Sequence, residues 1–150
     1  MAHPYNKKST PNKYKIKRIL KERGVEVIDP FIGEFKLMRE HGIKDYYDKP
    51  DYKVAREMWV KDLAQIRDCN MILVWLPHDS IGTAAELMYA LEWQKRIRYQ
   101  DKELPSDERR AFLIQIIAAK KHPLFAYALQ FGNQQFESVS DFEKMNVMRW

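Results

Sequence analysis

The segment that most constrains the fold is an unbroken apolar run followed by a polar turn and a helix start, over Cys69–Glu86. Residues 71–76 are apolar throughout, which is typical of a central strand in a parallel sheet. The turn carries Gly82, and the helix that follows carries Glu86. Ligands of open α/β sheets bind at the carboxyl ends of the strands, so Glu86 is predicted to lie at a site. Helix N-termini favour anions, and we therefore expect Glu86 to stay ionised.

The rest of the chain alternates between strand-like and helix-like segments. We expect residues 31–51 to be an irregular loop, and a loop of this length is often a functional lid. The alternation predicts a single α/β domain over 1–150: a flavodoxin-like, Rossmann-like, five-stranded parallel sheet of order 2-1-3-4-5 with helices on both faces. The predicted strands are 1–5, 25–28, 71–76, 112–118 and 136–139, and the predicted helices are 11–23, 52–67, 83–98, 123–131 and 141–145.

Composition excludes several classes of protein. The 150 residues are 45% hydrophobic and 31% charged, as in a globular domain of the cytoplasm, and no apolar run approaches a membrane span. Met1–Tyr5 has no apolar signal core. The lone Cys69 suits a reducing compartment and, at a strand start, is expected to be a packed thiol. Much of the net charge of +5 lies on one basic helix, and a solvated helix face explains it better than nucleic-acid binding does.

Motifs for other chemistries are missing from the chain. It has no G-x-G-x-x-G, no Walker A sequence and no G-x-S-x-G. The four histidines, His3, His41, His78 and His122, lack metal-ligand spacing. We therefore expect neither a metal nor a cofactor.

Five polar residues are candidates for a site in the predicted topology. Glu86 begins a helix, Asp62 lies near the end of the preceding one, Asp79 and Ser80 lie in the turn between them, and Tyr5 ends a neighbouring strand. Tyr5, Asp79, Ser80 and Glu86 could together line one crevice. Each also has an ordinary interpretation: Glu86 as a helix-terminal charge, Asp62 as a surface acid, Ser80 as a cap or turn residue and Tyr5 as a packed aromatic.

Four motifs together resemble the nucleoside 2-deoxyribosyltransferase-like superfamily, which includes the deoxyribosyltransferases and the 2′-deoxynucleoside 5′-monophosphate N-glycosidases. The motif Ser80-x-Gly82-x-x-x-Glu86-Leu87-x-Tyr89-Ala90 follows directly on the apolar strand. The others are Ala2-His3-Pro4-Tyr5-Asn6, Asp29-Pro30-Phe31 and Asp62-Leu63-x-x-Ile66.

The resemblance implies a role for each matching residue. Glu86 would attack the anomeric carbon of a deoxyribosyl group, Asp62 would donate a proton to the base or position it, and Tyr5 would orient Glu86. Such a pair of carboxyls suits a covalent glycosyl intermediate, formed through an oxocarbenium-like transition state. Water or an acceptor base would resolve that intermediate.

The resemblance also implies a set of substrate contacts. At this position the nucleoside transferases have an acid, whereas this chain has Ser80. A hydroxyl group, together with the backbone N–H groups at the start of a helix near Gly82, favours binding of a 5′-phosphate. The neighbouring Asp79 could take the acid's place and favour a free hydroxyl. His3 and Asn6 belong to the substrate-binding motif, and Arg56 is a further candidate phosphate contact.

Two other functions stay open at this point: a non-catalytic nucleotide-binding or sensor module on the same fold, and a nucleic-acid accessory protein that uses the basic helix. The resemblance further implies a homodimer or larger homo-oligomer. Leu87, Met88, Leu91 and Trp93 are expected either at that interface or in the core.

Overall fold

The computed structural model describes residues 10–44, 52–100 and 112–145 as an α/β arrangement of helices around a parallel sheet. Within these residues there are three strands and six α-helices. In chain order they are α1 (Thr10–Glu22), α2 (Pro30–Glu40), α3 (Tyr52–Asp68), β1 (Met71–Trp75), α4 (Ile81–Lys95), β2 (Leu113–Ile117), α5 (Pro123–Leu129), β3 (Gln134–Phe136) and α6 (Val139–Lys144). A π-helical turn, Arg96–Gln100, continues α4.

The three strands pair in the order β1-β2-β3, and both pairings are parallel. Trp75 at the end of β1 lies opposite Ile117, which in turn lies opposite Phe136. The carboxyl ends of the strands therefore meet at one edge of the sheet. The chain leaves this edge after β1 and enters α4 at Ile81.

The prediction of a five-stranded sheet is wrong for the described part of the chain, where the sheet has three strands. Residues 25–28, predicted as a strand, pair with none of the three described strands. The N–H of Val25 donates to the carbonyl of Leu20 at 3.0 Å, closing the end of α1 across Gly24, whose φ is +75°. Val25 and Val27 pack against the core, so their alternation reflects burial. The predicted strand at 1–5 lies outside the described residues.

The expectation of an irregular loop over 31–51 is also wrong, because α2 occupies Pro30–Glu40. Asp29 caps this helix by accepting a hydrogen bond from the N–H of Phe31 at 3.2 Å, and Pro30 supplies the first turn. Proline is well suited to the first helical position, where its missing N–H is not needed. The Asp29-Pro30 pair therefore starts a helix here. Residues 45–51 of the predicted lid lie outside the described residues.

Alternate side chains of β1 enter different cores on the two faces of the sheet. Ile72 and Val74 pack with residues of α3, α4 and α5, whereas Leu73 and Trp75 pack with α1 and α6. On α4, Leu87 and Leu91 are fully buried in the first core, while Met88 is 40% exposed. In the described ranges, no helix combines the length and apolar character that crossing a membrane requires.

Candidate functional site

Two acidic side chains from different helices line one cleft beside the sheet. Asp62 comes from the third turn of α3, and Glu86 from α4, which packs against α3. Both border the same small cleft, which opens to solvent. Of the residues proposed from sequence, this cleft brings together Asp62 and Glu86.

Asp62 is buried, with 6% of its surface exposed. Burial raises the pKa of its carboxyl, because the charged form loses hydration, while a hydrogen bond with Glu34 and the charge of Lys61 act in the opposite direction. Glu34 comes from α2 and is itself buried. Asp62 is therefore buried, and it is not an ordinary surface acid.

Glu86 has a pKa of about 7, raised from 4.5. The larger cause is burial, and the second is the negative charge of Asp62. Glu86 lies in the second turn of α4, whose first turn holds no acidic residue, so the stabilisation of anions at a helix N-terminus does not reach it. The expectation that Glu86 stays ionised is wrong, because a carboxyl with a pKa of about 7 is partly protonated near neutral pH.

The remaining walls of the cleft are mostly apolar. One side is built from β1 and from the segment that precedes it, where Cys69 is half-buried and its thiol pKa is raised mainly by burial. A raised pKa keeps the thiol protonated, as expected of a packed cysteine. The lining residues besides the two acids are Ile28, Pro30, Gln65, Ile66, Cys69, Met71 and Ile72.

The residues predicted from the turn before α4 do not border this cleft. Ser80 caps α4: its hydroxyl oxygen accepts from the N–H of Thr83 at 3.3 Å and from the Thr83 hydroxyl at 3.1 Å. The capping role is thus confirmed. Asp79 is exposed and lies 3.4 Å from the ammonium of Lys120. Gly82 has open space around the position of a Cβ.

The remaining predicted residues divide into two groups. Arg56 lies on the exposed side of α3 and does not line the cleft. Tyr5, His3 and Asn6 lie outside the described residues.

Sequence reasoning missed Glu34 and Gln65. Glu34 lies in the segment that is expected to be a loop but forms α2. The Asp29-Pro30 pair is typical of a helix start, and it is the pattern that would have placed Glu34 on a helix. Gln65 follows Asp62 by three positions, which places both on one face of a helix. The predicted helix 52–67 is therefore sufficient to place Gln65 beside Asp62.

Among the described ranges, no group of three His, Cys, Asp or Glu side chains has an arrangement that could hold a metal ion. Comparison of the chain with known family models and with curated proteins found no match.

Proposed function

We propose that this protein cleaves the N-glycosidic bond of a 2′-deoxynucleoside 5′-monophosphate, or of the corresponding deoxynucleoside, through a covalent deoxyribosyl–Glu86 intermediate. The observation that carries the proposal is the pairing of Asp62 and Glu86 in one cleft, on two helices that pack against each other. Paired carboxyls of this kind serve as nucleophile and proton donor in glycosyl cleavage.

In the first step, the ionised carboxylate of Glu86 attacks C1′ of the sugar. A C1′–O ester bond forms as the C1′–N bond breaks, and the electron pair of that bond passes to the nitrogen of the base. The carboxyl of Asp62 donates a proton to the departing base, which leaves neutral. Burial supports this role for Asp62, because it raises the pKa of the carboxyl and so favours the protonated form.

In the second step, water or the nitrogen of an acceptor base attacks C1′. The ester bond breaks, Glu86 is released as a carboxylate, and Asp62 takes the proton lost by the nucleophile. The active form of the pair holds a single proton, located on Asp62. The rate is expected to fall in acid, where both carboxyls are neutral, and in alkali, where both are ionised.

In this proposal the 5′ end of the substrate lies at the start of α4. Ser80 accepts hydrogen bonds from Thr83, so its own proton can be donated to a phosphate oxygen. The N–H groups of a first helical turn also favour an anion. Asp79 lies in an exposed ion pair with Lys120, whose positive charge favours a phosphate near this turn. We therefore favour the monophosphate over the nucleoside.

The test is base release from a panel of deoxynucleotides and deoxynucleosides, with and without an acceptor base. Glu86→Gln removes the nucleophile and is expected to lower release by at least about a thousandfold, whereas Glu57→Gln, on the exposed face of α3, leaves it unchanged. Acid-quenched protein analysed by intact mass should carry one deoxyribosyl unit, which keeps its 5′-phosphate when the substrate is a monophosphate. Absence of base release by the wild type, or equal release by Glu86→Gln, would overturn the proposal.

Self-association and a cytoplasmic location belong to the same proposal. Trp59 and Val60 on α3 and Met88 on α4 are 41%, 60% and 40% exposed, and these helices pack against each other. A second copy of the chain would cover such apolar side chains. Light scattering should give twice the 18.0 kDa mass of one chain. A monomer at all concentrations would contradict this part of the proposal.

A further inference from the structure

A glutamine in the cleft wall has a buried oxygen that no described group satisfies. Within the part of the chain that the structure describes, Oε1 of Gln65 is buried and has no hydrogen-bond partner. Gln65 lines the same cleft as Asp62 and Glu86. A buried carbonyl without a donor is energetically costly, so it is a candidate for contact with a ligand.

The position of Gln65 on α3 places it beside the proposed proton donor. Residues three apart on a helix lie on the same face, so Gln65 and Asp62 are neighbours along the cleft wall. Because the proposed function gives Asp62 the base as its partner, the Gln65 amide lies where the base would extend.

The surroundings of the amide suit a planar, largely apolar ring. Ile66, from the next position on α3, and Met71 and Ile72, from β1, supply the apolar walls. Small-molecule sites commonly combine such walls with a few polar groups that fix orientation. A carboxamide offers an acceptor and a donor side by side, which matches an amino group next to a ring nitrogen.

We propose that Gln65 is a specificity-determining residue that hydrogen-bonds the nucleobase and selects bases carrying an exocyclic amine beside a ring nitrogen, as in adenine or cytosine. The inference rests on the proposed function and deepens it by naming the class of base. Oε1 accepts from the amine and Nε2 donates to the ring nitrogen. A base that lacks the amine leaves Oε1 buried without a donor, so it binds less well.

The test compares pairs of substrates that differ in the amine. The first pair is the 5′-monophosphates of 2′-deoxyadenosine and of purine 2′-deoxyriboside, and the second is those of deoxycytidine and deoxyuridine. We expect the wild type to prefer the amino member of at least one pair by about ten- to a hundredfold in kcat/KM. Gln65→Leu and Gln65→Met should reduce that ratio to near one, mainly by losing activity on the amino base. Gln130→Leu, at an exposed glutamine ending α5, should leave the ratio unchanged.

A binding measurement separates this inference from the proposed function. Calorimetric affinities for the same pairs are measured on Glu86→Gln with and without Gln65→Leu. If the wild type releases no base, the proposed function fails, and these affinities still decide the role of Gln65. Loss of the amino preference on adding Gln65→Leu supports the inference. A preference that survives both Gln65 variants, or a wild type that binds both members of each pair equally, overturns it even where base release is confirmed.

Discussion

At the scale of single residues, the pKa of Glu86 links the site to the stability of the protein. A carboxyl whose pKa rises from 4.5 to about 7 on folding binds its proton more tightly in the native state than in the unfolded state. Stability from this group is therefore fully present below pH 4.5 and is lost as the pH rises through about 7. Above that pH the ionised carboxylate destabilises the native state.

Replacing Glu86 with glutamine removes this penalty. We expect Glu86→Gln to unfold at higher urea concentration than the wild type at pH 8, by up to about 3 kcal/mol in unfolding free energy. The difference should vanish near pH 4, where the wild-type carboxyl is protonated in both states. Urea titrations at several pH values measure it, with Glu57→Gln as an exposed control. A destabilised Glu86→Gln at pH 8 would contradict the burial of the charge.

The contribution of Asp62 to the pKa of Glu86 is separable from that of burial. Asp62→Asn removes the negative charge and leaves the neighbouring apolar walls in place, so the Glu86 pKa should fall below 7 yet stay above 4.5, since burial is the larger cause. Titration of the Glu86 carboxyl carbon by nuclear magnetic resonance measures this shift. An unchanged pKa would mean that the two carboxyls do not interact.

At the scale of secondary-structure elements, the N-cap of α2 stabilises the helix whose Glu34 hydrogen-bonds Asp62. Asp29 is buried, accepts from the Phe31 N–H and forms ion pairs with Lys13 at 2.8 Å and Lys17 at 2.6 Å. We expect Asp29→Ala to lower the unfolding free energy by about 2–3 kcal/mol, because it removes a cap and two charged partners together.

Asp29→Asn distinguishes the two effects, since the amide oxygen can still cap the helix while the charge is lost. Its cost should be about half that of Asp29→Ala, or about 1–1.5 kcal/mol. Glu22→Ala, which breaks the exposed pair with Arg18 at 3.7 Å, should change stability by less than about 0.5 kcal/mol. Chemical denaturation of the three variants gives the comparison. Equal stability of Asp29→Ala and Glu22→Ala would show that the cap and ion pairs contribute little.

These elements also show how far local patterns determine this fold. The apolar run at 71–76 was predictable as β1, because every position is apolar on a strand whose two faces are both covered. Val25 and Val27 alternate just as clearly, yet among the described residues they join no strand of the sheet, because alternation reports which side chains are buried and not which strand the backbone pairs with. Spacing and resemblance placed Asp62 and Glu86 together, but the pKa of Glu86 depends on packing around it and could not be predicted from helix position.

At the scale of the whole molecule, the sheet separates two cores, and the two acids of the candidate site lie beside one of them. Asp62 and Glu86 come from α3 and α4, while α1 and α6 cover the opposite face, where Met71 of the cleft wall also packs. Perturbations of the second core that leave Met71 in place are therefore expected to change stability without altering the surroundings of the two acids. A long-range contact in this second core allows that separation to be tested.

Arg23, just after α1, joins two segments that are far apart in the chain. Its guanidinium donates to the carbonyls of Phe142 at 3.0 Å, Glu143 at 3.1 Å and Met145 at 3.0 Å, and it stacks on the Phe142 ring. A planar group with several donors satisfies the carbonyls at a helix C-terminus in a way that lysine cannot reproduce. We expect Arg23→Met to lower the unfolding free energy by about 2–3 kcal/mol, and Arg23→Lys to restore only part of it.

The loss of stability in Arg23→Met should affect α6 before it affects the whole protein. Hydrogen exchange should accelerate in α6 of Arg23→Met and remain slow in β2 and α4, because α4 belongs to the other core and β2 is the central strand of the described sheet. Arg18→Met, on the exposed side of α1, serves as the matched control, since it removes an arginine whose described ion pair is with Glu22. The Glu86 pKa should stay near 7 in Arg23→Met, because neither burial at the cleft nor Asp62 has changed. A shift of that pKa would mean that the two faces of the sheet are coupled.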